Sequence, residues 1–244
     1  MPIAQPFPRA QLADHVRACR VGDRMIFLDM LRSKYIGVGG PQLPALSAAM
    51  SIRWSADDTA VAPVQPAVLD EWLHCLDKQR LLSNAPSSEP VRQQPMLLEA
   101  VAGLSADDED LAAGSEWPNL VRLWRATIVT AAWLRWRNLV DIANRVEALR
   151  TRHGRRGEGF AADTTRASAA SYLRLRPFAL TSQDRCLYDS LALVHFLATQ
   201  GQFAQWVIGV RLNPFAAHSW VESGGVVLND QPERVRRYQP ILIV

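Results

Sequence analysis

Cysteine is scarce in this chain: only Cys19, Cys75 and Cys186 occur among 244 residues, and none belongs to a CxxC motif. An odd number of cysteines without paired spacing argues against a disulfide framework, and the missing CxxC argues against a zinc module. The N-terminus also lacks an apolar stretch of signal-peptide length. These absences predict a protein of the reducing cytoplasm that binds no metal.

Long hydrophobic runs are absent as well. The most apolar helical stretch, 126–134, is bracketed by Arg125 and Arg135 and is far shorter than the roughly 20 residues that cross a bilayer. No membrane partner is therefore expected. The composition, 48% hydrophobic and 21% charged, is otherwise typical of a globular protein with a real core.

Lysine is rare too, so arginine carries most of the positive charge, and its distribution is uneven. Residues 117–185 contain thirteen arginines against five acidic residues, whereas residues 86–116 are acidic. An arginine-coated helical face explains this pattern, although an acidic partner would be attracted to it. Residues 1–85 carry nine basic and eight acidic side chains, which argues against nucleic-acid binding.

Three segments are predicted: a domain over 1–83, a linker over 84–116 and a second domain over 117–244. In the first, residues 14–38 predict three short strands joined by tight turns. Helices are predicted over 42–50 and over 67–80, the second opened by Pro66. This combination favours a winged-helix-like domain. The Ser/Pro/Gln-rich run 83–95 has no periodicity and marks the linker.

The second domain is predicted to run from helices into an antiparallel sheet. One long helix is expected over 117–153, a shorter one over 167–175 and a third over 186–200, which Gly201 ends. A strand over 205–211 and a hairpin over 215–230 follow. The whole chain is therefore predicted to be α+β.

The hairpin carries a histidine and an aspartate at its two ends. If its turn is centred on Gly224, His218 and Asp230 lie opposite each other, with Cβ atoms roughly 4.5–5.5 Å apart. A slip of one residue would separate them. An aspartate that holds one imidazole nitrogen leaves the other nitrogen to act as a base, as in a nucleophilic triad.

Cys186 is the candidate nucleophile, because the first turn of a helix stabilises a thiolate and offers N–H groups to an oxyanion. His195 lies on the opposite face of the same helix and is excluded as the base. Asp189 is a weaker alternative orienter of the histidine, and Ser190 is expected to be structural. Cys19 and Cys75 are expected to lie in the core.

Residues 185–230 resemble the B protein of lasso peptide biosynthesis, a leader peptidase with a transglutaminase-like, papain-type fold. The shared features are a Cys-Leu at a helix start, a serine four residues on, a Gly-Val strand end, a His-x-Trp-Val-Glu segment and a closing Asn-Asp. They correspond here to Cys186-Leu187, Ser190, Gly209-Val210, His218, Trp220-Val221-Glu222 and Asn229-Asp230. Ser219 replaces the alanine that the family usually has.

The resemblance implies a cysteine peptidase in which Cys186 attacks, His218 carries the proton and Asp230 orients His218. Gln183, three residues before the cysteine, is a candidate helper of the oxyanion. No cofactor is expected to bind directly, although ATP would be needed by the partner, an ATP-dependent macrocyclase. Two alternatives stay open: a transglutaminase-like acyl transferase, and a non-catalytic peptide- or nucleic-acid-binding protein.

In many lasso clusters the B protein carries a fused winged-helix-like domain that grips the leader of the precursor as an added strand beside its third strand, which suits an extended peptide. The first domain is therefore expected to bind the leader. The candidate groove residues are Tyr35, Ile36, Leu69, Trp72 and Leu76, with core packing as the alternative role for most of them.

Overall fold

The computed structural model describes residues 10–40, 43, 46, 66–83, 102–104, 116–154, 162–179 and 186–244. Contacts divide the chain into two compact units, Met1–Gln94 and Pro95–Val244. Each unit combines helix and sheet, so the predicted α+β class is confirmed. Within the described ranges, no helix has both the length and the apolar character needed to cross a membrane.

The N-terminal unit contains the three predicted strands, β1 (Val16–Val21), β2 (Arg24–Asp29) and β3 (Lys34–Gly39). They form an antiparallel sheet in the order β1-β2-β3, which leaves β3 as an edge strand. The first turn pairs Val21 with Arg24 and contains Gly22 at φ +58°, a left-handed conformation that glycine adopts without steric cost.

One helix, α1 (Pro66–Lys78), packs on this sheet. Its residues Leu69 and Leu76 lie in a core with Met25 and Phe27 from β2. The predicted helix over 42–50 lies outside the described residues except for Leu43 and Leu46, which are helical and buried. A three-stranded sheet covered by a helix is observed; the winged-helix assignment stays a prediction.

Before the central strands, the described part of the C-terminal unit contains four α-helices: α2 (Glu116–Trp136), α3 (Leu139–Gly154), α4 (Ala162–Leu175) and α5 (Cys186–Ala198). The prediction of a single long helix over 117–153 is wrong, because one helix ends at Trp136 and a second begins at Leu139. The Asn138 carboxamide accepts a hydrogen bond from the Asp141 N–H at 2.8 Å and so caps a new helix. An asparagine three residues before an acidic residue is a recognised start signal.

The apolar side chains of α2 are divided between its faces. Leu123 and Ala126 are buried, whereas Trp124 and Ile128 are exposed. Apolar residues occur all round this helix. Periodicity therefore does not identify the face that packs on α5.

A five-stranded sheet completes the unit. Its strands are β4 (Ala102–Gly103), β5 (Gln205–Arg211), β6 (Ala216–Ser223), β7 (Val226–Val227) and β8 (Gln239–Ile243). The order is β4-β7-β6-β5-β8, and β4 pairs in parallel with β7, so the sheet is mixed rather than purely antiparallel. The strand β4 lies inside the segment predicted as linker.

The sheet and α5 together position the candidate site. Helix α5 is buried along most of its length, including Leu193 and Phe196, and packs against β6. Trp206 of β5 is fully buried, and its indole N–H donates to the Ser219 hydroxyl at 2.8 Å. The first residue of α5 therefore lies against the strand that carries His218.

Candidate active site

Cys186 is the first residue of α5, and its side chain is half-buried. Its sulfur lies near the His218 ring and the backbone N–H groups of Leu187 and Ser219, which lower the pKa of the thiol. N–H groups in the first helical turn have no partner within the helix, so they are available to a sulfur anion. The Ser190 hydroxyl donates to the Cys186 carbonyl at 2.6 Å, which confirms Ser190 as structural.

His218 lies in β6 with only 6% of its surface exposed. Its Nε2 atom bonds the Asp230 carboxylate. The other ring nitrogen, Nδ1, is therefore the one left to interact with the Cys186 thiol, which raises the pKa of His218 together with Asp230. The structure thus brings together the three residues that the sequence proposed as a set, in the order thiol, imidazole, carboxylate.

The route by which Asp230 reaches His218 differs from the predicted one. Gly224 and Gly225 both have positive φ, at 59° and 80°, and form a two-residue turn that pairs Ser223 with Val226. A turn centred on Gly224 would pair Ser223 with Gly225, so the observed register is shifted by one residue from the predicted one. The predicted cross-strand pairing of His218 with Asp230 is therefore wrong. Two-residue turns with left-handed residues match strand twist and are favoured.

The strand β7 ends at Val227, and the chain bends before Asp230. Asn229 holds this bend in place. Its carboxamide oxygen accepts from the Val221 N–H at 2.8 Å, and its Nδ2 donates to the Asp189 carboxylate at 3.0 Å. Asp230 therefore reaches the histidine through a tethered loop rather than through strand pairing.

Asp189 anchors this tether and does not orient His218. Its carboxylate accepts from the Tyr172 hydroxyl at 2.9 Å and pairs with Arg176 at 3.2 Å, in addition to Asn229. Since Asp189 is one helical turn from Cys186, the loop of Asp230 is tied to the helix that carries the thiol. The alternative role weighed for Asp189 is therefore not supported by these contacts.

Aromatic rings pack against the imidazole. The centroid of the Tyr238 ring lies 5.1 Å from that of His218, and the Trp220 ring lies 6.1 Å away at an interplanar angle of 20°. Gly209 faces His218 across β5 and β6. A Cβ on Gly209 would lie 2.8 Å from the Trp220 ring, so only glycine allows this close approach.

The three groups shift one another's protonation. Burial opposes charge on Cys186, but the bonds from His218 and the two backbone N–H groups lower its pKa below the usual value. Burial likewise opposes charge on His218, yet its bonds to Asp230 and Cys186 raise its pKa to about 9. Burial would raise the pKa of Asp230, but the His218 and Gln231 bonds lower it. The arrangement favours a thiolate beside an imidazolium.

The remaining predicted residues have different outcomes. Gln183 lies outside the described residues. In the N-terminal unit Leu69 and Leu76 are core residues, Ile36 and Trp72 pack against that core, and Tyr35 is half-buried on the edge strand. Direct contact of Leu69 or Leu76 with a peptide is therefore excluded by burial, while leader binding itself stays a prediction.

Other sequence-based expectations concern side chains outside the triad. Cys19 is buried as predicted, and burial raises its pKa to about 12. Cys75 is exposed, so its prediction as a core residue is wrong, since the inward position on α1 belongs to Leu76. His195 packs edge-on against Trp133 with centroids 4.1 Å apart, and burial near Arg125 lowers its pKa to about 4.

Sequence reasoning assigned no role to Asn229, Tyr172 or Tyr238. Asn229 was part of the closing Asn-Asp pattern, and its position beside Asp230 was the available signal. No local pattern indicates that Tyr238, in the turn before β8, covers the imidazole. Among the described residues, no three His, Cys, Asp or Glu side chains converge as metal ligands would.

Comparison with known proteins agrees with this geometry. Residues 124–243 match the model of the Transglutaminase-like superfamily, and this range contains Cys186, His218 and Asp230. The C-terminal part of the chain is therefore similar to transglutaminase-like domains.

A more specific similarity is to the microcin J25-processing protein McjB of Escherichia coli, with 53% identity over 47 residues. The match covers 19% of this chain and 23% of McjB, so the chain spans about a quarter of that relative. No solved structure matches the chain significantly.

Proposed function

We propose that the protein is a cysteine peptidase that removes the leader from a lasso peptide precursor. The observation that carries the proposal is His218 held between the Cys186 thiol and the Asp230 carboxylate at the start of a buried helix. A thiolate paired with an imidazolium is a prepared nucleophile with a proton donor beside it. The similarity to a protein named for processing a microcin supports a peptide substrate.

The reaction follows from the positions of these groups. The Cys186 sulfur attacks the carbonyl of the last leader residue, and the backbone N–H of Cys186 stabilises the resulting oxyanion. The C–N bond then breaks, and His218 gives its proton to the departing amine, which becomes the N-terminus of the core peptide. His218 then deprotonates a water molecule that attacks the thioester. The C–S bond breaks, the leader leaves with a free carboxylate, and the Cys186 thiolate and His218 imidazolium are restored. Asp230 keeps the imidazole oriented throughout.

The N-terminal unit supplies leader binding in this proposal. The strand β3 lies at the edge of its sheet, so its outer backbone groups offer a place for an extended peptide to add as a further strand. The partner that consumes the product is an ATP-dependent macrocyclase, and both act in the cytoplasm. ATP enters through that partner, because the proposed cysteine chemistry needs no cofactor.

Leader cleavage is the direct test. The precursor encoded beside this gene is incubated with the protein, with and without the cyclase and ATP, and the products are read by mass. We expect the wild-type protein to release the intact leader and core, with the leader ending in a free carboxylate. Cys186→Ala should release neither.

The outcomes separate the proposed peptidase from its alternatives. Equal cleavage by wild type and Cys186→Ala would remove Cys186 from the mechanism. A leader recovered as an amide of an added amine would indicate the acyl transferase. Binding of the leader without cleavage in the presence of the cyclase and ATP would indicate a non-catalytic binding protein.

A further inference from the structure

A basic cavity of about 310 Å³ opens beside the candidate triad. It lies where the end of β5 meets the segment after Asp230, which includes the short helix α6 (Pro232–Val235) and the turn before β8. Its lining residues are Arg211, Gln231, Glu233, Arg234, Arg237 and Tyr238. None of these residues has a part in the bond-making steps proposed above.

Two contacts connect the cavity to the triad. The Arg211 guanidinium stacks over the Tyr238 ring, 5.3 Å from its centroid, and the His218 ring lies 5.1 Å from the same centroid. The Arg211 guanidinium therefore lies within about 10 Å of the His218 ring. On the other side, Arg234 lies 3.9 Å from Asp230 Oδ1.

The charges of the cavity favour a single negative group. Three guanidinium groups line it against one carboxylate, Glu233, and one of them, Arg234, also lies 3.9 Å from the Asp230 carboxylate. The lining keeps an excess of positive charge, which suits a carboxylate ligand. The Arg211 Nε–H is buried and has no hydrogen-bond partner in the part of the chain that the structure describes. A buried donor of this kind is satisfied when an acceptor enters.

We propose that this cavity is a specificity subsite that binds an acidic side chain of the peptide substrate. The inference rests on the proposed peptidase function and adds a preference to it. An extended peptide advances about 3.3 Å per residue, so a side chain about three residues from the scissile bond reaches the Arg211 guanidinium. Arg211 and Arg237 bind the carboxylate, and the stacked Tyr238 holds Arg211 in place.

The test uses matched precursor peptides that carry glutamate or glutamine at one position within about four residues of the cleavage point. The ratio of kcat/KM for the glutamate peptide to that for the glutamine peptide is measured at each position. We expect the ratio to reach about tenfold at one position, as a charge-assisted hydrogen bond allows. Arg237→Gln should reduce this ratio severalfold, and Arg237→Lys should restore part of it.

Arg236→Gln is the matched control, because Arg236 is the chain neighbour of Arg237 and does not line the cavity. It removes the same charge and should leave the ratio near tenfold. A wild-type ratio near one at every position would overturn the proposal. So would an equal loss of the ratio in Arg236→Gln and Arg237→Gln, since that result would reflect net charge rather than a subsite.

Failure of the proposed function would be visible separately. If the wild-type protein cleaves none of the peptides, the affinity of Cys186→Ala for the glutamate and glutamine peptides is compared by calorimetry. Tighter binding of one glutamate peptide, lost in Arg237→Gln, would support the carboxylate site without catalysis. Equal affinities would reject the site as well as the peptidase.

Discussion

At the scale of single residues, His218 interacts electrostatically with both ionisable groups beside it. Its imidazolium form attracts the Cys186 thiolate on one side and the Asp230 carboxylate on the other, although burial opposes each charge. Because the groups interact strongly, their protons are lost in steps that belong to the set rather than to one residue. The pH dependence of the thiol therefore reports on the whole arrangement.

Alkylation should reveal this coupling without any substrate. We expect Cys186 in the folded protein to react with iodoacetamide at pH values below the usual thiol range, because its lowered pKa leaves a thiolate there. His218→Ala should move the midpoint upward, since burial remains while the imidazolium is lost. Peptide-level mass spectrometry against pH measures both midpoints.

Two other cysteines serve as internal references in that experiment. Cys75 is exposed and monitors reagent activity, whereas buried Cys19, with a pKa raised to about 12, should stay unmodified while the protein is folded. An unchanged Cys186 midpoint in His218→Ala would contradict the proposed thiolate–imidazolium pair.

Peptidase activity plotted against pH should give a bell-shaped curve, with one rising and one falling limb. It should rise as pH passes the lowered pKa of Cys186, because the thiolate attacks. It should fall as pH passes about 9, the raised pKa of His218, because the leaving amine then loses its proton donor. Initial rates from pH 4 to 11 test this. Asp230→Asn should move the falling limb to lower pH, because the Asp230 carboxylate raises the pKa of His218. An unshifted profile would contradict the role of Asp230 as the partner of His218.

Gly209 shows how tightly the rings around His218 are packed. Gly209→Ala places a methyl group 2.8 Å from the Trp220 ring and 2.9 Å from the Tyr238 Cβ. We expect the free energy of unfolding to fall by about 1–3 kcal/mol, as overpacking does. Urea denaturation measures the loss. Gly201→Ala is an instructive comparison, since its Cβ meets no atom within 4 Å but its φ of +72° is strained.

At the scale of elements, the loop between β7 and α6 is as important as the strands that flank it. Asn229 ties it both to β6 and, through Asp189, to the first turns of α5. Tyr172 and Arg176 extend the same network to α4 and the turn after it. Two residues of the set, Cys186 and Asp230, thus depend on one group of hydrogen bonds for their mutual position.

Removing the tether should lower catalysis more than binding. Asn229→Ala leaves Asp230 in the sequence but frees its loop, and small displacements of reacting groups are costly. We expect kcat to fall about tenfold or more, with KM changed little. Steady-state kinetics on the precursor provide the measurement. Circular dichroism should confirm folding, and an unaltered kcat in a folded variant would show that the tether is dispensable.

The hairpin illustrates where reading the sequence was sufficient and where it was not. The residue types, the turn and the proximity of His218 to Asp230 were all predictable from 215–230. The register was not, because Gly224 and Gly225 both accept left-handed φ and a glycine pair permits more than one turn. The break between α2 and α3 has a local signal, the Asn138 cap, which helical periodicity does not take into account.

At the scale of the whole molecule, each unit has its own core. The N-terminal core gathers Leu69 and Leu76 with the faces of β1 and β2, and a C-terminal cluster gathers Val207, Trp220 and Val227. The proposed leader binding by the first unit and the proposed peptidase chemistry of the second are therefore testable separately.

Hydrogen exchange should locate leader binding. Adding a synthetic leader peptide should slow amide exchange in Lys34–Gly39, because an added strand would bond the outer edge of β3. The other edge strand, β1, should be unaffected. Protection in β1 instead, or none in either strand despite measurable affinity, would contradict strand addition at β3.

The sequence by itself determined the α+β class, the three N-terminal strands and the set Cys186, His218 and Asp230. Each of these depends on local signals: alternating patterns, turn residues and a helix start. Only the tertiary structure decided which contacts fix the positions of these three side chains relative to one another. The Asn229–Asp189 tether, the Tyr238 ring on His218 and the basic cavity around Arg211 join residues that are distant along the chain. Contacts between distant segments arise when the elements pack, and no local pattern encodes them.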